Sequence, residues 1–368
     1  MNCKLKYFLV VLATLISTTP AWGNEKVYVS GRSARVTEDK LHLYRLNGNS
    51  GEIGRDSALL TAPETLRNGM VPYMARYAKT VLFNSAEIRR KPVAKLLLGR
   101  FFETRYYHYL QPMIYDEDRA TLRSFARFAR FREEEVIAAF LVPDTMHMLA
   151  KDALSNNILP LFQSQKRPDT WGNVPAVPVR PFGCTSFVIP GHRTASRQMV
   201  FGRVLDYPGV GILDKNPAVY LYERPGALRY MAVLSAGLGA AVSSMNERGL
   251  TLALHSIISH DAGRNGFPIM SITRKIMEEA STIEQAAAIC NANVPTTPWL
   301  LNMADTARPG GRAARIEINP RLNKCQVIWE QDYSMALNHF KDPVNHANEY
   351  RFTPATDLHE LGRERRAR

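Results

Sequence analysis

The residues with the most chemistry in their arrangement lie between 183 and 206. Gly183 and Cys184 open an alternating run that reaches Ile189, and a second run returns through Phe201 to deliver Arg203 and Asp206. If the peptide bond before Cys184 breaks, that residue owns both a thiol and a free α-amine. Such an amine has an unperturbed pKa of roughly 7.7–8.0, suited to taking the thiol proton near neutral pH. The nucleophile then carries its own general base. An arginine beside the sulfur favours thiolate over thiol, and Asp206 is placed to hold the amine. Gly183, without a side chain, leaves its carbonyl open to the thiol. Spacing alone favours a plainer reading, a buried cysteine and a surface ion pair. The chemistry of the Gly–Cys junction argues for the first.

The elements around this junction are legible from pattern. Before it, residues 167–183 hold four prolines and two glycines, an exposed connector that ends against Cys184. Residues 24–45 carry short alternating runs that predict edge strands. A turn is expected over Asn47–Gly51. Apolar residues at three- and four-residue spacing then predict helices at 75–83, 93–109, 118–131 and 133–149. Phe125, Phe128 and Phe131 read as one core-facing stripe. After 184 the texture turns strand-rich: 185–189, 198–205, 218–222, 230–235 and 250–256, with a hairpin turn at Asn246–Gly249. Two helices follow at 269–279 and 282–291, the second with Ser281 and Glu284 in capping-box spacing. Four more strands are expected at 299–304, 313–318, 326–330 and 333–338. Runs of strands, helices and strands imply layered sheets with helices outside.

Hydrophobic residues make up 45% of the 368 and charged residues 22%, proportions that allow a sizeable core and exclude a disordered chain or a fibre. The formal charge of +13 is read first as a solvated basic surface, with peripheral contact with anionic surfaces a further expectation. Nucleic acid is not an expected partner, because zinc-finger spacing and RNA-binding aromatic motifs are absent. Residues 1–23 have the pattern of an export signal. Lys4 and Lys6 precede an apolar run from Tyr7 to Ile16, and Ala21 and Gly23 are small where a signal peptidase reads. The mature protein is expected to start at Asn24, periplasmic or secreted. Export removes Cys3 and leaves Cys184, Cys290 and Cys325, so a Cys290–Cys325 disulfide would leave Cys184 free.

The ordered motifs resemble the choloylglycine hydrolase and penicillin (isopenicillin-N) acyltransferase group of N-terminal-nucleophile hydrolases, with acid ceramidase and N-acylethanolamine acid amidase as more distant relatives. Ser50–Arg55 resembles the propeptide opening of the acyltransferase branch. Gly183-Cys184-Thr185-Ser186 is similar to the cleavage site and nucleophile, and Gly202–Asp206 to the Arg and Asp pair. Ser244–Leu250 is similar to the "M-N-E-x-G-L" turn. Ala336–Phe340 contains the later asparagine, Asn338, and Asn348–Arg351 falls at the second arginine. The pattern departs at Val204, where an asparagine is usual, in a lengthened turn over 191–197, and at His255 and Ser256, where a second oxyanion asparagine is expected.

The resemblance implies an α+β fold, a four-layer αββα sandwich of mostly antiparallel sheets. It implies cleavage between Gly183 and Cys184 into 24–183, a mainly helical propeptide or α chain, and 184–368, a catalytic β chain; the two chains stay associated. The implied reaction is hydrolysis of a small-molecule N-acyl amide through acyl-Cys184, with transfer to an amine, or an unprocessed binding protein on the same fold, as alternatives. Implied roles are nucleophile for Cys184, orientation for Arg203 and Asp206, oxyanion donation for Asn338, support from Arg351 and help near His255. No cofactor is implied. Phe182, Phe187, Phe201 and Tyr207 suggest an apolar acyl pocket or, equally, core packing.

Other candidates are weaker. His255, His260, His339 and His346 lack HExxH or CxxC spacing, so no metal is expected. A cysteine–histidine pair with His339 lacks its local signature. Asn246 reads as a turn former, and Gly237–Gly239 as a small-residue turn.

Overall fold

The computed structural model describes residues 26–38, 40–75, 107–155, 183–206, 215–237, 239–263, 265–322 and 324–350. The export signal, most of the proline-rich connector, most of the helices expected at 75–83 and 93–109, and Arg351 lie outside the described residues.

Three N-terminal strands, β1 (Lys26–Ser30), β2 (Ser33–Glu38) and β3 (Leu41–Asn47), pair antiparallel in sequence order. Only β1 is an edge, contrary to the expectation for all of this region. β3 lies inside a ten-stranded sheet because it pairs parallel with β6 (Pro217–Glu223), from His42 beside Ala218 to Asn47 beside Glu223. The Tyr44 and Tyr220 rings stack at 4.7 Å across that seam, and Glu223 accepts from Arg45 Nε at 2.8 Å and Asn47 Nδ2 at 2.9 Å. Residues on the two sides of Cys184 therefore share one continuous sheet.

Helix α1 (Ser50–Leu60) starts sooner than the expected turn allows. Asn49 Oδ1 accepts from Glu52 N and Glu52 Oε2 accepts from Asn49 N, a capping box that satisfies two backbone donors at once. Helix α2 (Asp116–Ala129) packs on α1, with Asp116, Glu117 and Asp118 in its first turn where the helix dipole favours negative charge. Its phenylalanine stripe is shorter than expected. Phe125 is buried but Phe128 is 40% exposed, because three-residue steps in a 3.6-residue helix rotate off the core face. Helix α3 (Glu133–Ser155) completes this layer.

Strands β4 (Gly183–Ile189) and β5 (Val200–Asp206) form a hairpin that, with β13 (Ser334–Ala336), makes a separate three-stranded sheet. The longer turn expected at 191–197 holds a short 3-10 segment, Gly191–Arg193. The Phe187 ring lies over Gly202: a Cβ there would meet it at 2.2 Å, so a larger residue would have to displace that ring.

The remaining strands, β7 (Tyr230–Ser235), β8 (Ser243–Asn246), β9 (Thr251–Ser256), β10 (Trp299–Asp305), β11 (Arg312–Ile318) and β12 (Gln326–Glu330), continue the large sheet antiparallel from β6. Asn246 shapes the β8–β9 turn as expected. Its Oδ1 accepts from Arg248 N and Leu250 N, and its Nδ2 donates to the carbonyls of Met277 and Ala280. Those carbonyls lie at the end of helix α4 (Ile269–Glu279), which is followed by α5 (Ile283–Ala292). The cap of α5 is Thr282, one residue later than expected. Thr282 Oγ1 accepts from Gln285 N, while Glu284 pairs with Arg312.

The period-two pattern sorts the sheet faces. Leu250, Leu252, Leu254, Leu301 and Met303 pack with Ile272 and Ile276 on the helix side; Leu300, Ala336 and Phe340 pack between the sheets. The class is mixed α+β with mostly antiparallel sheets, as expected, and three of the four expected layers lie within the described residues: helices, large sheet, small sheet. Cys290 and Cys325 are buried free thiols rather than a disulfide.

Candidate active site

Cys184 enters β4 from the end of the connector and is 2% exposed. The hairpin register sets Cys184 opposite Leu205 and Ser186 opposite Arg203. Side chains two apart share a face, so Cys184 and Ser186 both turn toward the large sheet. Arg203 leans back along its strand, and its Nη2 lies 3.3 Å from Cys184 Sγ while also donating to the Leu254 carbonyl. Burial lowers the Arg203 pKa and the adjacent sulfur opposes that, yet a guanidinium stays cationic. Its Nε and Nη1 are buried and face no acceptor among the described residues.

Asn338 follows β13, which pairs with β4 (Ala336 beside Ser186) and so brings the loop to the start of β4. Asn338 Oδ1 accepts from Cys184 N at 2.6 Å, and Nδ2 donates to the Ser256 carbonyl at 2.9 Å. Both contacts demand this amide orientation, because the backbone N–H can only donate and the carbonyl can only accept. One Nδ2 hydrogen remains to serve another acceptor.

Beneath the cysteine lies a buried polar network that sequence reasoning missed. Ser186 Oγ meets His255 Nε2 at 2.7 Å and accepts from Asn302 Nδ2 at 2.9 Å; Asn302 Oδ1 accepts from Ser334 Oγ at 2.7 Å. The His255 ring therefore sits between the sheets with Ser186. Partners 69 positions apart (Ser186 and His255) and 116 apart (Ser186 and Asn302) left no local signal, although Ser186 two places after Cys184 was a clue to the face.

Cys184 also opens onto a cavity of about 90 Å³ whose walls are almost wholly apolar, among them Met74, Pro143, Leu205, Val242, Leu254 and Trp299. Of the aromatic residues expected to line an acyl pocket, the two that are described, Phe187 and Phe201, do not line it. Phe187 points outward over Gly202 at 40% exposure, and Phe201 packs near Val188 between the sheets. Phe182 and Tyr207 lie outside the described residues. The aromatic positions on a two-sided hairpin were assigned a common wall that strand alternation denies them.

Helix α3, whose Phe140 and Pro143 line this cavity, also carries two buried titratable groups, Asp144 and His147. Asp144 accepts from Ile269 N at 2.9 Å, Thr297 Oγ1 at 2.6 Å and Trp299 Nε1 at 3.2 Å. His147 stacks on Trp299 at 4.2 Å and its Nε2 bonds Ser256 Oγ. Burial pushes the His147 pKa from 6.5 down to about 3, so it is neutral in the folded protein. Burial pushes the Asp144 carboxyl from 3.8 up to about 6, against its three hydrogen bonds. The two act oppositely on acidification. His147 contributes stability above pH 6.5 that is lost as pH falls toward 3; Asp144 contributes stability below pH 3.8 that is lost as pH rises through 6. Each is worth roughly 3 kcal/mol between pH 7 and 4. Relative to wild type, His147→Gln should gain melting temperature between pH 7 and 4, and Asp144→Asn should lose it. Parallel shifts of both variants in thermal melts at the two pH values would contradict the burial of one of them.

Other site expectations divide plainly. The Asp206 backbone lies at the end of β5 opposite Gly183. Arg351 lies outside the described residues. The His260 ring packs tilted against Tyr350 at 3.7 Å, and His339 lies near His346. Among the described residues no cluster of three or more His, Cys, Asp or Glu side chains could hold a metal ion, and no helix is long and apolar enough to cross a membrane.

Residues 195–359, a little under half of the chain, match the family model described as acyl-coenzyme A:6-aminopenicillanic acid acyl-transferase. No curated protein matches the sequence. Among solved structures, a Caenorhabditis elegans N-acylethanolamine-hydrolyzing acid amidase ortholog aligns over 49% of this chain and 80% of its own, at 18% identity and a TM-score of 0.34. A variant of conjugated bile acid hydrolase from Clostridium perfringens aligns over 41% of this chain and 44% of its own, at 14% identity and a TM-score of 0.21. Over residues 195–359 the chain thus resembles the acyltransferase family that the motif order also pointed to; the match begins after Gly183 and Cys184.

Proposed function

We propose that this is an exported enzyme that cleaves itself between Gly183 and Cys184 and then hydrolyses N-acyl amides through an acyl-Cys184 thioester. The observation that carries the reading is the joint placement of Cys184: its backbone nitrogen on Asn338 Oδ1, its sulfur on the Arg203 guanidinium, and an apolar cavity in front of it.

Self-cleavage begins with Sγ attack on the Gly183 carbonyl. The C–N bond breaks as the acyl group moves to sulfur, which frees the Cys184 α-amine carrying the thiol's proton; water then hydrolyses the thioester to the Gly183 carboxylate and regenerates the thiol. Asn338 Oδ1, which already holds this nitrogen as an amide, keeps the new amine beside the thiol. In turnover the amine takes the thiol proton, Sγ attacks the substrate carbonyl, and the amine returns the proton to the leaving nitrogen. The spare Nδ2 hydrogen of Asn338 is available to the oxyanion as charge develops. The Arg203 guanidinium, whose Nη2 lies 3.3 Å from Sγ, favours negative charge on sulfur. Water, activated by the same amine, then releases the acid.

The shared sheet supports lasting association of fragments 24–183 and 184–368, because the β3–β6 ladder joins them across the cut. The name of the matched family favours a second reading, in which an amine replaces water in the last step. A panel of N-acyl amides, with and without added amines, separates the two by mass spectrometry: free acid signifies hydrolysis, and a new amide signifies transfer. A fully processed protein that yields neither would defeat both readings.

A further inference from the structure

The cavity before Cys184 ends at a wall, and behind that wall lies a second cavity of about 50 Å³. Phe140, Gly239, Ala240 and Met270 line both. Phe140 comes from α3 and Met270 from the first turn of α4, whose start is tied to α3 by the Ile269 N to Asp144 bond. Gly239 lies close against Tyr222 and Tyr220: a Cβ on it would meet the Tyr222 hydroxyl at 2.2 Å and the Tyr220 ring at 2.9 Å. Met270, unbranched and flexible, is the member of the wall most easily displaced.

The two cavities differ in chemistry. The first is almost wholly apolar, whereas the second mixes Leu46, Ile53 and Leu122 with Asp118, Arg224 and Arg274. Those charges are closed on one another: Arg274 bonds Asp118 and Glu278, and Arg224 lies 3.4 Å from Glu278. An aliphatic chain passing the wall would gain a few apolar contacts before meeting paired ions. A chain that stops at the wall stays in apolar surroundings throughout.

We propose that Met270 and Phe140 set the acyl-chain length, and that the substrate is an amide of a short aliphatic acid. This rests on the amide-hydrolysis reading above. A cavity of ~150 Å³ holds a benzene ring, so the smaller space here suits an acyl group on the order of four carbons. Each methylene that must be forced into or left out of such a pocket changes kcat/KM by roughly 10-fold or more.

The test is kcat/KM over a series of straight-chain N-acyl amides from acetyl to dodecanoyl, with one common amine, on processed wild type, Met270→Ala and Phe140→Leu. Wild type should peak near butyryl and lose at least about 10-fold by octanoyl. Met270→Ala should raise the octanoyl-to-butyryl ratio by about 10-fold or more, and Phe140→Leu should move it in the same direction. Phe140→Leu carries the test if Met270→Ala does not fold. An unchanged ratio in a variant that still cleaves butyryl amide overturns the wall and leaves the hydrolase reading intact, as does a wild-type optimum at dodecanoyl. No cleavage at any length by processed wild type defeats the hydrolase reading and the wall with it.

Discussion

Cys184→Ala should accumulate as a single uncut chain with amide cleavage lowered by on the order of 10⁵-fold or more, the scale seen when a covalent nucleophile is removed. The substitution removes only a sulfur from a residue that is 2% exposed, so the fold should survive with a loss of ~1 kcal/mol. The hairpin partner Leu205 and the Ser186 network keep their own contacts. Mass spectrometry of the purified variant checks both halves. A variant still cut between Gly183 and Cys184 would mean that an outside protease makes the break.

The second large effect is expected at Asn338. Its amide joins Cys184 N to the Ser256 carbonyl, so it sits between the nucleophile and β9. As holder of the α-amine and donor to the oxyanion, its loss in Asn338→Ala should lower kcat by on the order of 10²–10³ with KM changed much less. A purely structural residue would instead lower the melting temperature and leave specific activity near normal. Asn338→Asp changes one end only: the carboxylate can still accept from the amine but can donate neither to an oxyanion nor to the Ser256 carbonyl. It should keep Cys184 in place and still lose most of kcat. Because the same donor serves self-cleavage, the processed fraction is measured by mass before the rates are compared. Normal kcat in processed Asn338→Ala removes this residue from the mechanism.

The parts of the site that were legible from sequence are those that local pattern fixes. Arg203 comes back to Cys184 because a single hairpin joins them, and alternation places both on known faces. The strands from 230 to 330 and the helix at 269–279 follow from period two and period 3.6 in the same way. Asn338 was legible through motif order, and its contact with Cys184 N depends on β13 pairing beside β4. What local pattern could not give is long-range assembly. His147 and Ser256 meet across 109 positions, and no spacing rule joins a helix in one half to a strand end in the other. The acyl cavity likewise draws its walls from α3, α4 and the loop after β7, while the nearby phenylalanines that invited attention face elsewhere. β3 was misread as an edge because its second partner, β6, is supplied some 170 residues later.

The central claim is that Cys184, as a new N-terminal residue, carries the acyl group. The direct measurement is acid quenching of the processed protein during turnover of a butyryl amide, followed by mass analysis of the separated fragments. The account predicts two fragments, one beginning at Asn24 and one at Cys184, with the butyryl group on the Cys184 thiol and absent from Cys184→Ser. An intact chain that turns over substrate, or an acyl group found on another residue, would contradict it.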